Sequence, residues 1–197
     1  MAQRQTPSQT VGPYFAYGLT APQYGYPFTA IAGGVIATEG AEGERMRIVG
    51  QVLDGERAPV NDALIEIWQA NANGRYHHPA DRRTDNYDPA FKGFGRVGTG
   101  TDPHNRFIFH TVKPGAIGDG QAPHLNVTVL MRGMLTHAFT RIYFSDEETA
   151  NAADPVLSSV PKERRGTLIA EREDTAGAVY RFDIHMQGDA ETVFFDV

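Results

Sequence analysis

Short runs rich in Val, Ile, Phe, Tyr and Thr recur along the chain, separated by clusters of Gly, Pro, Asn and Asp. This is the pattern of half-buried strands punctuated by turns. The runs are "MRIVGQVLD" (46–54), "ALIEIWQA" (63–70), "RFIFHTV" (106–112), "HLNVTVLMRG" (124–133), "HAFTRIYFS" (137–145), "TLIAERE" (167–173) and "AVYRFDIHMQ" (178–187). Seven or more strands predict an all-β chain with a β-sandwich core. The first two runs flank "GERAPVND", whose residues are turn chemistry, and are read as neighbouring antiparallel strands. Within "APHLNVTV", alternation puts His124 and Asn126 on one side of a strand and Leu125 on the other.

One short helix is predicted at "SDEETANAA", with Ser145 as N-cap and Glu148 three residues on, the capping-box spacing. Segments 1–45 and 71–105 show little periodicity and are long for connections inside a compact domain, a trait of functional loops and of surfaces that cover a partner. We read 1–197 as a single domain in which 1–45 is an extended N-terminal arm. There is no internal repeat, low-complexity tract or convincing linker.

Composition narrows the chemistry. At 197 residues and 41% hydrophobic, the chain buries a core without staples. It has no cysteine, which excludes disulfides, zinc-thiolate sites, iron–sulfur clusters and cysteine nucleophiles. The formal net charge is −6 and the basic residues are scattered, so nucleic acid is not an expected partner. The N-terminal "MAQRQTPSQTVGPYFAYG" lacks the apolar core of an export signal, and no window is apolar enough for a membrane span, so the expected compartment is the cytoplasm.

Seven histidines invite a metal reading. His77, His78, His104, His110 and His137 fall in or near loops or strand ends, where histidines are commonly solvent-facing or hydrogen-bonded, and His185 has no spaced partner. No zinc motif, phosphate-binding loop, dinucleotide fingerprint or nucleophile elbow is present. "WQANANGRYHHP" is more unusual: a strand ends in the only tryptophan, and "NANG" turns the chain to deliver Tyr76. Trp68 is read as a core residue because of the area it buries.

"TPSQTVGPY", "PVNDALIEIWQANANGRY", "TVKPG", "APHLNVTV" and "TRIYFSDE", in this order and at these spacings, make the chain resemble the intradiol ring-cleaving dioxygenases over nearly its whole length. The resemblance implies a β-sandwich and, in catalytic members, a non-haem Fe(III) held by two tyrosines and two histidines. Phenolates favour the ferric state, which primes a bound catecholate for direct attack by O2. Matched residue by residue, Tyr76 takes the place of the first tyrosine and His124 that of the first histidine. Ile117 stands where the second tyrosine follows the "KPG" turn, and Asn126 replaces the second histidine. Gln121 stands where catalytic chains carry an arginine. With two of four ligands gone, no iron is expected in this chain, which makes these four positions vestigial.

The resemblance further implies a heteromer in which a β subunit of similar fold carries the Fe(III) and this α-type chain helps to build its substrate pocket, for cleavage of 3,4-dihydroxybenzoate to 3-carboxy-cis,cis-muconate on the β-ketoadipate route. Thr10, Gly12, Pro13 and Tyr14 in the arm suit a close approach to a ligand, the alternative being a partly ordered terminus. Arg132 is the candidate for the substrate's ring carboxylate, against a solvated arginine or one in an interfacial ion pair. Two other readings stand beside this one. The first is a free-standing dioxygenase with a site rebuilt from Asn126 and Tyr87 or Tyr143. The second is a non-enzymatic transthyretin-like binding module, suggested by "VGQVLDGERAPVNDALIEIW" alone.

Overall fold

The computed structural model describes residues 12, 15–83, 85, 87–175 and 177–197. Among them are nine strands: β1 (Arg45–Leu53), β2 (Leu64–Gln69), β3 (Phe94–Gly98), β4 (Arg106–Val112), β5 (Leu125–Leu130), β6 (Ala138–Phe144), β7 (Ile169–Thr175), β8 (Gly177–Arg181) and β9 (Ile184–His185). Three short helices accompany them, α1 (Phe15–Leu19), α2 (Glu148–Ala153) and α3 (Pro155–Ser159), with 3-10 turns at Ala21–Tyr24 and Lys162–Leu168.

The strands pair in the order β3-β2-β5-β6-β7-β8-β1-β4, with β9 also on β1. The path folds over on itself. Inward residues of one half (Ile65, Ile67, Val127, Ile142) and of the other (Ile48, Phe107, Phe109, Tyr180) share one contiguous apolar cluster. This is the expected sandwich. The halves meet at one side through the two-residue parallel pairing of β6 with β7, Tyr143 with Ile169 and Phe144 with Ala170. At the other side residues 33–36 stitch β3 to β4: Arg96 donates to the Gly33 carbonyl, His110 to that of Gly34, and Ile36 to that of His110.

The expected pairing of β1 with β2 is corrected. β1 has β4 along one edge, antiparallel from Arg45–Val112 to Gln51–Arg106, and β8 then β9, parallel, along the other. No edge is left for β2, which lies between β3 and β5 in the opposite half. The turn residues of 55–62 close on β1 itself, with Val60 donating to the Val52 carbonyl, before the chain crosses over. The final predicted strand is also broken in two. At Phe182–Asp183 the Asp183 carboxylate accepts the Gln51 N–H at 2.9 Å, replacing a ladder bond. The Phe182 carbonyl lies so close to β1 that a Cβ on Gly50 would stand 1.7 Å from it.

Ser145 is not a helix cap. Glu147 occupies the N-cap position of α2 without a side-chain bond, while the Ser145 hydroxyl accepts the Arg172 N–H at 3.0 Å. The capped helix is α3, where fully buried Asp154 accepts from Leu157 N–H at 2.7 Å. The same carboxylate takes Ala122 N–H at 2.8 Å and the Tyr143 hydroxyl at 3.2 Å, tying the helices to the entry of β5 and to β6. A second apolar cluster of Ala122, Tyr143, Leu157, Val160 and Leu168 forms around this point.

Two stability predictions follow from these contacts. Gly50→Ala forces backbone apart and is expected to cost about 3 kcal/mol, read as a fall in Tm of roughly 6 °C or more. Asp154→Ala strands two buried N–H donors and a phenol, so a loss of about 3 kcal/mol is expected by denaturant titration, against less than about 1 kcal/mol for Ser145→Ala.

Candidate functional site

The register of β3, β2, β5 and β6 builds the site's floor. Trp68 lies opposite Phe94 on one side and Asn126 on the other, and Asn126 lies opposite Arg141. Directly opposed residues share a face, so Phe94, Trp68, Asn126 and Arg141 form one row across four strands. Two residues along, Arg96, Glu66, Thr128 and Phe139 form a parallel row. Both rows lie on the outer face, since the alternate residues Leu125, Val127 and Val129 of β5 enter the core. Trp68 is therefore half-buried on the outside of the sheet, not a core residue as its size suggested. It is shared by two cavities, one of about 490 Å³ over β2, β5 and β6 and one of about 630 Å³ bounded by Tyr76, Asp81 and Arg83.

Tyr76 is delivered by the "NANG" turn. The Asn71 side chain accepts the N–H groups of Asn73 and Arg75, and Gly74 adopts φ +72°, where a Cβ would stand 2.0 Å from the Ala116 carbonyl. Only glycine permits this approach of the Tyr76 turn to the "KPGAI" turn. Tyr76 then folds back onto Trp68, ring centroids 5.6 Å apart and planes within 13°. Its backbone N–H is held by Asp81 at 2.9 Å, and Arg83, paired with Asp81, donates to the Ile117 carbonyl at 2.7 Å.

The four matched positions are thus gathered at one end of the β2–β5 ladder, but their chemistry is not that of a ferric site. The Asn126 amide donates to the Tyr76 hydroxyl at 3.4 Å and to the Trp68 carbonyl at 3.5 Å. Burial pushes the Tyr76 phenol up, outweighing the Asn126 bond and the charges of Arg141 and Arg83, so it stays protonated at neutral pH. Ile117 offers hydrocarbon. His124 is 2% exposed, and burial pulls its pKa down, which keeps it neutral. Its Nδ1 faces the Ala122 carbonyl at 2.8 Å and so carries the proton, leaving Nε2 as a buried acceptor with no partner among the described residues. One imidazole, one phenol and one neutral amide, with hydrocarbon at the fourth position, offer Fe(III) at most one anionic oxygen, and this set does not fit it.

Arg141, which sequence reading passed over, is the main addition. Its Nη1 donates to Gln121 Oε1 at 3.0 Å and to the Tyr143 hydroxyl at 3.3 Å. A guanidinium therefore reaches Gln121, the position at which the resemblance places an arginine in catalytic chains, from β6 instead. The alternation in "HAFTRIYFS" was visible, but its register against β5 was not. Of the tyrosines considered for a rebuilt site, Tyr143 is fully buried, bonded to Asp154 and pushed up to about 12 by burial. Tyr87 is exposed and donates to His77 Nε2 at 3.1 Å, the His77 Nδ1 facing the Phe91 carbonyl. Among the described residues no three His, Asp or Glu side chains converge in a way that could hold a metal ion.

Arg132 lies elsewhere. Leu64 pairs with Leu130 at one end of the ladder and Gln69 with Leu125 at the other, so Arg132 is the length of a strand from Tyr76. Its Nε is ion-paired with Asp62 at 2.8 Å while 62% of the side chain is exposed. Gly12 is exposed and its carbonyl accepts the Phe15 N–H at 3.0 Å. Thr10, Pro13 and Tyr14 lie outside the described residues.

Comparison with known proteins agrees with this construction. A family model described as "Dioxygenase" matches residues 19–188. The chain is 58% identical to the protocatechuate 3,4-dioxygenase alpha chain of Burkholderia cepacia, covering 98% of both chains. It is 43% identical to the alpha chain of that name from Pseudomonas putida, covering 98% of this chain and 96% of that one. The protocatechuate 3,4-dioxygenase beta chain of Burkholderia cepacia matches at 35% identity over 74% of this chain and 66% of its own length. Among solved structures, an intradiol ring-cleavage dioxygenase from Tetranychus urticae superposes with a TM-score of 0.60 at 18% identity, over 93% of this chain and 94% of that one. The chain belongs to the intradiol dioxygenase family.

Proposed function

We propose that the chain is the non-iron-binding α-type subunit of a heteromeric protocatechuate 3,4-dioxygenase, which opens the ring of 3,4-dihydroxybenzoate between its two hydroxyl-bearing carbons with O2. The observation that carries the proposal is the donor set: Tyr76 and His124 remain, but Ile117 and the Asn126 amide stand where two ligands are needed. The similarity to alpha chains along the full length, and to a beta chain more weakly, supports the same reading. The Fe(III) then belongs to the partner β subunit. The cytoplasm as compartment is part of the reading, and among the described residues no helix is long and apolar enough to cross a membrane.

This chain's contribution to the shared site is positional. Arg132 pairs with Asp62 through Nε while most of its side chain stays exposed, and a guanidinium so placed suits the substrate's ring carboxylate. Thr10, Gly12, Pro13 and Tyr14 of the arm complete the set of residues proposed to shape the pocket. Phe15, Tyr26, Phe28, Ile31 and Val35 are exposed along the first 35 residues, an apolar strip suited to the partner's surface. A free-standing dioxygenase finds less support, because Tyr143 is committed to Asp154 and Tyr87 to His77.

Two measurements test the proposal. Co-expressed with an iron-bearing homologue, the chain is expected to purify in a red complex holding one iron per pair, and made alone to hold none; stoichiometric iron with visible absorption in the isolated chain refutes the assignment. In the complex, Arg132→Ala is expected to raise KM for protocatechuate about tenfold or more while that for catechol, which lacks the carboxylate, moves less than about twofold. Equal KM changes for both substrates, or none, would remove Arg132 from the site.

A further inference from the structure

The geometry points to a ligand site on this chain itself: the cavity over β2, β5 and β6 binds a small aromatic carboxylate, with the ring between aromatic walls and the carboxylate on Arg141. The inference does not depend on which chain holds the iron.

Shape and lining come first. The cavity, about 490 Å³, falls in the size range of small-molecule sites. Trp68, Phe94, Phe139 and Phe195 line it, the first three fixed by the two cross-strand rows and the last pinned by its N–H to the Phe139 carbonyl at 2.8 Å. These walls are rigid planar surfaces, which favour a flat apolar guest over a flexible one.

Charge decides the class of guest. Arg141 lines the same cavity and has no carboxylate partner among the described residues. Only its Nη1 is engaged, by the neutral acceptors Gln121 and Tyr143. Among the described residues Nε and Nη2 have no hydrogen-bond partner, and neither is sealed from solvent, so one edge of the fork is open there. The other ionic groups do not supply the missing anion. Glu66 is occupied by Arg96 at 2.7 Å, and Asp196 and the carboxylate-bearing Val197, which also line the cavity, are exposed and make no bond to Arg141 among the described residues. A half-buried guanidinium with one open edge beside aromatic rings matches a carboxylate attached to a ring. Thr128 and Asn126 sit between the walls and add hydroxyl and amide groups for polar ring substituents.

The test uses the complex purified with its iron-bearing partner and 4-fluorobenzoate as probe, followed by fluorine NMR. The wild-type complex is expected to show a slow-relaxing bound probe, one per copy of this chain, in addition to any probe broadened by the iron. Arg141→Gln is expected to weaken that population about tenfold or more. Thr128→Trp, which fills the cavity without touching the Arg141–Tyr143–Asp154 network, is expected to abolish it even if the arginine variant folds poorly. Bound probe that survives Thr128→Trp, or that is confined to the iron-broadened population, overturns the site. Equal competition by benzyl alcohol and by benzoate overturns the role of Arg141.

Discussion

The antiparallel register of β3, β2, β5 and β6 is the constraint from which the rest of the molecule's outer face follows. Because side chains alternate, one register fixes both surfaces at once: Ile65, Ile67, Val127 and Val129 enter the core, and Trp68, Asn126, Thr128 and Arg141 leave it. A slip of one residue would exchange the two sets, burying a guanidinium and an amide while exposing four aliphatic side chains. At roughly 1.5–3 kcal/mol for each large aliphatic side chain, that exchange costs far more than any single polar contact on the outer face could return. The core therefore holds the row of Trp68, Asn126 and Arg141 in place, with no need for a metal to assemble it.

The charge pattern around Tyr76 follows the same logic. A trication would need anionic oxygen around it, and here the surrounding groups are two guanidinium ions, an amide, an aliphatic side chain and one carboxylate, Asp81, that is already paired with Arg83. Burial dominates the balance on the phenol and pushes its pKa up, and Asn126 donates to its oxygen. Tyr76 keeps its place by stacking on Trp68 and by the Asp81 bond to its backbone, neither of which involves its hydroxyl. The shape of the loop is thus independent of the chemistry its hydroxyl once suggested.

Much of the fold was legible from alternation and turn residues, because a two-residue period with one buried face leaves few alternatives. The failures have separate physical causes. β1 and β2 are adjacent in sequence, but β1 already has partners on both edges, a long-range fact that no local pattern carries. β3 was missed because "FGRVG" is weak strand sequence, and Gly95 is there to make room: a Cβ would meet Ile36 at 2.6 Å. Trp68 was assigned to the core on size alone, although its alternation with Ile67 and Gln69 places it outward. Ligand positions could be matched residue by residue, but the guanidinium that reaches Gln121 comes from β6 and emerges only once β6 is registered against β5.

The four matched positions contribute little to the fold because of where they sit. Tyr76, Ile117 and Asn126 belong to neither apolar cluster; two are on turns and one is on the outer face of β5. His124 is buried, yet its one hydrogen bond is local, to Ala122, while the joint between β5, β6 and α3 is made by Asp154 beside it. A metal at those positions would have tied loops to a sheet that was already complete. Ligand replacement is therefore nearly neutral for stability, in contrast to small metal-dependent domains where binding energy is folding energy. What such a chain presents on its outer face is therefore free to change separately from what holds its core together.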